Sequence, residues 1–141
     1  MRTKLAMAGL ALVLGGVGLA LAPAAGAASV SSASRTATVT APEFSVNGTW
    51  QFTQSGGITV TMNVTQDSSG RLFGTASWSG AVGTIEEGAV EGRNIFFTVG
   101  WSNGARGRYT GSLGSDRRLS GTTFDLNNPS SQANWVTTRT F

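Results

Sequence analysis

Every second residue from Ile58 to Val64 is apolar, and this period of two constrains the fold more than any other feature of the chain. Threonine or asparagine lies between the apolar positions. Such alternation is typical of a β-strand with one buried face and one wet face. Residues 67–70 (Asp-Ser-Ser-Gly) then predict a turn, because Asp and Ser bond their own backbone and Gly accepts positive φ. Residues 71–78 predict a second strand that folds back on the first as a hairpin.

The same alternation recurs along the rest of the sequence, and no helical period interrupts it. Consecutive strands joined by short turns form a meander, and closing that sheet into a barrel removes its two edges. We therefore predict an all-β fold, an eight-stranded antiparallel up-and-down β-barrel, with a two-sheet sandwich as the alternative. The predicted strands cover residues 46–53, 58–65, 71–78, 82–91, 95–101, 108–113, 118–126 and 133–141.

Three glycines fall in the middle of predicted strands: Gly74, Gly111 and Gly121. Glycine weakens a flat sheet, but it suits a strand that coils sharply or one that a large side chain crosses. The glycines therefore favour the barrel over a flatter arrangement.

The first 27 residues have the three parts of a secretory signal peptide. A cationic head of four residues precedes an apolar run up to Leu21, and small residues follow as far as Ala27. We expect a signal peptide over residues 1–27, a flexible Ser/Thr/Ala-rich segment over 28–44 and a β-barrel domain over 45–141. The protein is then secreted, with no membrane attachment after cleavage, and the simple signal favours a bacterial origin. A retained membrane anchor is the alternative.

Composition excludes several classes of function. Cleavage would remove Arg2 and Lys4 from the ten basic residues, leaving eight against seven acidic ones, a charge of about +1. No basic face is clustered enough for a nucleic-acid partner. The chain has no cysteine and no histidine. This absence argues against disulfides and against a zinc or copper site, and we predict neither a metal nor a cofactor.

The acidic residues do not form an evident catalytic pair. Glu86, Glu87 and Glu91 are clustered, but neighbours in a regular strand point to opposite faces, so we expect solvated carboxylates on the outer face. Asp125 is interpreted as a cap at a loop end, with a lone buried acid as the alternative. No catalytic residue is assigned.

Three motifs mark the start, middle and end of the predicted domain. They are residues 47–50 (Asn-Gly-Thr-Trp), 97–103 (Phe-Thr-Val-Gly-Trp-Ser-Asn) and 134–139 (Asn-Trp-Val-Thr-Thr-Arg). Together they resemble the avidin/streptavidin family within the broader calycin group, over nearly all of residues 46–141. In calycins a Trp near the start of the first strand stacks on an Arg or Lys of the last strand. Trp50 and Arg139 match those positions, so the resemblance implies that this pair closes the barrel.

The resemblance also implies ligand contacts inside the barrel. Trp101 matches an aromatic wall residue, and Tyr109 and Phe124 lie near two further wall positions. Phe52 stands where the family has an asparagine, and Ala76 where it has a tyrosine. The late aspartate of the family has no counterpart. A biotin ureido group buried without polar partners would be strongly disfavoured, so we expect a more apolar ligand or none.

Tryptophan is also abundant, and an eight-stranded barrel either packs its interior with side chains or holds one small ligand. Core filling is therefore the alternative for every aromatic residue. The candidate ligand-binding residues are Phe52, Ala76, Trp78, Trp101, Tyr109 and Phe124. Trp135 resembles the tryptophan that avidins lend to a neighbouring subunit, and an outer position would make it a candidate subunit contact in a homo-oligomer.

Three functions remain open at this point. The first is a secreted protein that binds a small apolar or amphipathic molecule in an aromatic-lined cavity. The second is a cofactor-independent cyclase that folds a polyketide-like substrate by proximity. The third is a structural or oligomerising module with a filled barrel. The volume and lining of the barrel interior distinguish among them.

Overall fold

The computed structural model describes residues 38–141, and these form a closed barrel of eight antiparallel strands in chain order. The predicted signal peptide lies outside the described residues. No helix in the described part is long and apolar enough to cross a membrane. The strands are β1 (Gly48–Gln54), β2 (Thr59–Gln66), β3 (Leu72–Trp78), β4 (Ala81–Glu91), β5 (Asn94–Trp101), β6 (Arg106–Leu113), β7 (Leu119–Asp125) and β8 (Asn128–Thr137).

Pairing between the first and last strands closes the sheet. Phe52, Thr53 and Gln54 of β1 lie opposite Thr137, Val136 and Trp135 of β8. The predicted all-β, eight-stranded antiparallel barrel is confirmed, and the sandwich alternative is wrong.

β8 starts at Asn128, earlier than predicted, because the predicted strands left residues 127–132 in the connection between the last two strands. Asp125 pairs with Asn128 across a turn of two residues, and the register then shifts so that Phe124 pairs with Gln132. Residues 129–131 are therefore extra residues on one side of the ladder. Pro129 is accommodated there because a bulge does not require its missing N–H.

Aromatic rings fill the middle of the barrel. The inward faces of four strands contribute a connected set of five rings, in which Phe97 stacks on Tyr109 with centroids 4.8 Å apart and an interplanar angle of 9°. The members of this aromatic cluster are Trp50, Phe52, Phe97, Tyr109 and Trp135. All five are buried, so the centre of the barrel is packed with side chains.

Trp135 belongs to this cluster, and its predicted outer position is wrong. Its side chain is 2% exposed, and its Nε1 donates a hydrogen bond to the carbonyl oxygen of Thr122 at 3.1 Å. A Cβ on Gly111 would lie 2.6 Å from Cζ2 of this indole. Gly111 thus provides the room in which a large side chain crosses the sheet, as its position in the strand predicts.

Gly74 and Gly121 lie where neighbouring strands approach each other closely, in line with the sharp coiling predicted for these positions. A Cβ at Gly74 would collide with the backbone of Asn63, and one at Gly121 would lie 2.5 Å from the Cα of Gly111. These contacts are with backbone atoms, which a flexible side chain could not relieve. Both positions therefore require glycine where the sheet coils.

Residues 41–46 seal one end of the barrel. The Glu43 N–H donates to the carbonyl of Gly92 at 3.0 Å, and the Gly92 N–H donates to that of Ala41 at 3.1 Å. The side chains of Phe44 and Val46 are buried. This end of the segment predicted to be flexible is therefore docked on the barrel, and the folded unit starts ahead of the predicted boundary at residue 45.

Trp50 lies beneath this seal, but its aromatic partner is not the predicted Arg139. The indole Nε1 donates to the carbonyl of Val46 at 3.0 Å, and the ring of Phe141 packs against the indole with centroids 5.4 Å apart. The guanidinium carbon of Arg139 lies 4.8 Å from the centroid of Phe141. The direct Trp50–Arg139 stack is therefore wrong. After β8 the chain folds back, the apolar Phe141 turns inward onto Trp50, and the charged Arg139 stays exposed.

A β-bulge in β4 explains how two adjacent glutamates share the outer face. The register between β4 and β5 shifts between Ile85 and Glu87, which makes Glu86 the extra residue. Glu86 Oε2 accepts from Arg106 Nη2 at 2.6 Å, and Glu87 pairs with Arg108. Both carboxylates are exposed and bind arginines of β6, which agrees with the outer-face position expected for them.

Candidate functional site

The end of the barrel opposite the seal contains a cavity of about 290 Å³. Other hollows in the described residues lie on the outer side of the sheet and against residues 41–47. The open-end cavity is lined by aromatic, aliphatic and uncharged polar side chains with one carboxylate. Its lining residues are Gln54, Ser55, Ile58, Val60, Trp78, Trp101, Asn103, Ala105, Gly107, Tyr109, Thr123, Phe124, Asp125, Ser131, Gln132 and Ala133.

Tyr109 is the member of the aromatic cluster that lines the cavity, and its ring forms the floor of the cavity. Its ring stacks on Phe97 below, and its hydroxyl accepts a hydrogen bond from Gln54 Nε2 at 3.2 Å. Burial raises the pKa of the Tyr109 phenol, with smaller opposing contributions from the side chains of Gln54, Thr123 and Trp101. The phenol is therefore neutral at physiological pH and offers a ligand a rigid apolar face beside a polar group.

Two tryptophans form the walls at the mouth. Trp78 ends β3 and Trp101 ends β5, each on the inward face that the alternation of its strand defines. A Cβ on Gly83 would lie 3.1 Å from Trp101 Cε3, so this glycine leaves the indole room to lie against β4. Trp78 remains 37% exposed. The mouth thus offers indole surface that is in contact with water and that a ligand would cover.

Asp125 contributes the one acidic side chain of this lining, which contains no basic one. Its Oδ1 accepts hydrogen bonds from the backbone N–H groups of Asn127 at 2.9 Å and Arg106 at 3.3 Å. The carboxylate therefore caps the turn between β7 and β8, in line with the cap expected from the sequence. It also lies in the wall of the cavity, which the sequence interpretation did not include.

Four of the six predicted ligand-binding residues line the cavity: Trp78, Trp101, Tyr109 and Phe124. The other two do not. Phe52 is fully buried inside the aromatic cluster, and Ala76 is buried on β3. The prediction placed the ligand deeper in the barrel than the packed centre allows.

Sequence reasoning missed the polar part of the lining, chiefly Gln54, Thr123 and Asp125. A signal for Gln54 was present, because it continues the inward period of Trp50 and Phe52. Thr123 and Asp125 follow the same period on β7. Extending the inward face of each strand to its last residue would have found all three.

The arrangement suits binding. Within residues 38–141 no group of three or more Asp, Glu, His or Cys side chains is placed to hold a metal ion. The cavity combines several aromatic faces with one carboxylate and a few amide and hydroxyl groups, which is the usual chemistry of a small-molecule pocket.

Comparisons with known proteins identify no family for this chain. Neither a protein-family model nor a curated protein matches the chain, and the predicted kinship with the avidin/streptavidin family is not confirmed. The solved structure of EF1p2_mFAP2b bound to DFHBI is similar to this chain, with 12% identity, over 64% of this chain and 89% of that one, at a TM-score of 0.45. A similarity of this size carries no information about the ligand of this chain.

Proposed function

We propose that this protein is secreted and binds a small amphipathic molecule in the cavity at the open end of its barrel. The observation that carries the proposal is the cavity itself, about 290 Å³ in volume, with Trp78, Trp101, Tyr109 and Phe124 in its lining. This volume is close to the lower end of the range for small-molecule pockets, about 300–1,000 Å³. We therefore expect a small ligand.

The architecture favours entry from one side only. Residues 41–46 and Phe141 cover the far end, and the aromatic cluster fills the middle. A ligand would consequently rest on Tyr109 and contact the two rim tryptophans. Because the walls belong to paired strands, they change shape little on binding, and the cost of ordering them is small.

Secretion rests on the sequence of residues 1–27, whose cationic head, apolar run and small residues are typical of a signal peptide. The avidin-like motifs support a calycin-type barrel as the origin of the fold. The replacement of the polar ligand contacts of that family by Phe52 and Ala76 supports a ligand other than biotin.

The two alternative functions have less support. The interaction module was inferred from an outer position of Trp135, but this side chain is buried in the barrel. The cyclase requires a hole that encloses a folded substrate, whereas the aromatic cluster occupies the centre of the barrel. The oligomeric state stays a prediction of the sequence.

Ligand capture tests the proposal. The purified protein is incubated with an organic extract of culture medium and separated from it by gel filtration, and the small molecules released on denaturation are identified by mass spectrometry. A Trp78→Ala/Trp101→Ala variant loses the indole walls, and Phe73→Ala serves as a control because Phe73 is exposed and outside the cavity. We expect a molecule retained by the wild type and by Phe73→Ala but not by the double variant. Equal retention by all three proteins, or by none, would contradict the proposal.

A further inference from the structure

We propose that the ligand of the open-end cavity is an organic cation, an amine or quaternary ammonium joined to an apolar body, and that Asp125 is its counter-charge. The inference rests on the proposed function and specifies the chemistry of the same site. Three properties of the cavity carry it: the sign of its charge, the hydrogen bonding of Asp125 and the nature of its walls.

The charge of the lining has one sign. Asp125 supplies a carboxylate, and no lysine, arginine or histidine is among the residues around the cavity. The nearest arginine along the ladder, Arg106, directs its guanidinium to Glu86, with an Nη2–Oε2 distance of 2.6 Å. The ion pairs in residues 38–141 are Glu43–Arg93, Glu86–Arg106 and Glu87–Arg108. No side chain in that part of the molecule therefore neutralises Asp125 by direct contact.

The carboxylate keeps bonding capacity for a ligand. Its two hydrogen bonds, from the N–H groups of Asn127 and Arg106, both end on Oδ1. An ionised carboxylate has about four lone-pair sites on two oxygens. Oδ2 is thus free of the capping contacts, and a cationic group in the cavity would add to the cap without replacing it.

The aromatic walls of the cavity also favour a positively charged ligand. The face of an aromatic ring is negative, so a cation near the face of Trp, Tyr or Phe is attracted, most strongly by Trp. Trp78, Trp101 and Tyr109, on the inward faces of their strands, line the space beside Asp125. An anionic ligand such as a fatty acid would meet both these faces and the carboxylate. The cavity therefore selects by charge as well as by apolar contact.

Three probes of matched shape test this selection: benzyltrimethylammonium, its uncharged carbon isostere neopentylbenzene, and the anion benzylsulfonate. Binding is measured by tryptophan fluorescence and by isothermal titration calorimetry. We expect the cation to bind about tenfold more tightly than the uncharged isostere, and the anion to show no saturable binding.

Two variants test whether Asp125 is responsible for the preference for a cation. Asp125→Asn removes the charge but keeps an oxygen for the turn, and it should remove most of the preference for the cation over the uncharged probe, leaving the smaller preference that the aromatic faces supply. Asp116→Asn is the matched control, because Asp116 also caps a turn, through the Arg118 N–H at 3.0 Å, and does not line the cavity. It should leave all affinities unchanged.

The outcomes distinguish a failure of this inference from a failure of the proposed binding function. Equal binding of the cation and its uncharged isostere, or a preference for the cation that is undiminished in Asp125→Asn, would overturn the inference while leaving a ligand-binding cavity. Failure of all three probes would overturn the inference as well. Only if the extract also yields no retained molecule would the proposed function fail with it.

Discussion

The ring of Phe141 stands edge-on against the indole of Trp50, with centroids 5.4 Å apart and planes at 85°. Such T-shaped contacts place the positive edge of one ring on the negative face of the other. Arg139 then lies on the face of Phe141, 4.8 Å from its centroid. A cation and two aromatic rings therefore close the sealed end, with Phe141 in contact with both of the others.

Substitution of Phe141 by Ala should lower the free energy of unfolding by about 2 kcal/mol. A fully buried Phe costs about 3–5 kcal/mol when truncated to Ala, and Phe141 is only half-buried. Arg139→Ala is the comparison and should cost less than about 1 kcal/mol, the value typical of an exposed cation–π contact. Urea unfolding followed by tryptophan fluorescence measures both. A larger loss for Arg139→Ala would mean that the arginine, and not the phenylalanine, closes the barrel.

Gly111→Ala should destabilise the barrel by about 1–3 kcal/mol, the cost of overpacking a core. The added methyl group would lie 2.5 Å from the Ser120 carbonyl oxygen and 2.6 Å from the Trp135 indole. Ser112→Ala, on the exposed face of the same strand, is the control and should change stability by no more than about 0.5 kcal/mol. Thermal unfolding gives the stabilities, and near-ultraviolet circular dichroism reports on the Trp135 environment. If the two variants were equally stable, the indole would not lie against Gly111.

Much of the fold was predictable because it depends on local patterns. Alternation placed the ends of the first seven strands within two residues of those observed, and glycine in mid-strand marked where the sheet coils. These signals are local because the period of a strand is fixed by its own backbone.

The differences arise where a single residue changes the register or where distant segments meet. The bulge at Glu86 places both Glu86 and Glu87 on the outer face, against the strict period of two. The packing of Phe141 on Trp50 and of residues 41–46 on the Gly92 turn joins segments far apart in the chain. No periodicity encodes such contacts.

The candidate site was predictable in its apolar half. Trp78 and Trp101 follow the inward period of their strands to the end. The depth of the site was not predictable, because it depends on how five aromatic rings pack together in the centre. Phe52 was accordingly assigned to the ligand although it belongs to the core.

The alkaline stability of the protein should depend on Tyr109. Burial raises the pKa of this phenol in the folded state, whereas in the unfolded chain it ionises near pH 10. The contribution of the neutral Tyr109 phenol to the free energy of unfolding is therefore complete below about pH 10. It is lost as the pH rises through the folded-state pKa. Because the chain has one tyrosine, phenolate absorbance follows this group alone.

Two measurements check the expectation. The native protein should form phenolate at a higher pH than the protein in urea, and Tyr109→Phe should lose less stability between pH 9 and 11 than the wild type does. Coincident native and denatured titrations would show that Tyr109 is in contact with bulk water and that the floor of the cavity is not closed.

The four tryptophans of the chain lie in two places and so report directly on where a ligand binds. The indole N–H groups of Trp50 and Trp135 donate to the carbonyls of Val46 and Thr122 at 3.0 and 3.1 Å inside the packed barrel. Trp78 and Trp101 lie at the open-end cavity. A ligand at the mouth should therefore affect the second pair and spare the first.

The decisive measurement is an NMR titration of ¹⁵N-labelled protein with benzyltrimethylammonium and, separately, with neopentylbenzene, in which the four indole N–H resonances are followed. We predict saturable shifts of the Trp78 and Trp101 resonances with at least one probe, while those of Trp50 and Trp135 stay in place. Shifts confined to Trp50 and Trp135 would contradict a binding cavity at the open end of the barrel, and so would four unmoved resonances with both probes if the culture extract also yields no retained molecule.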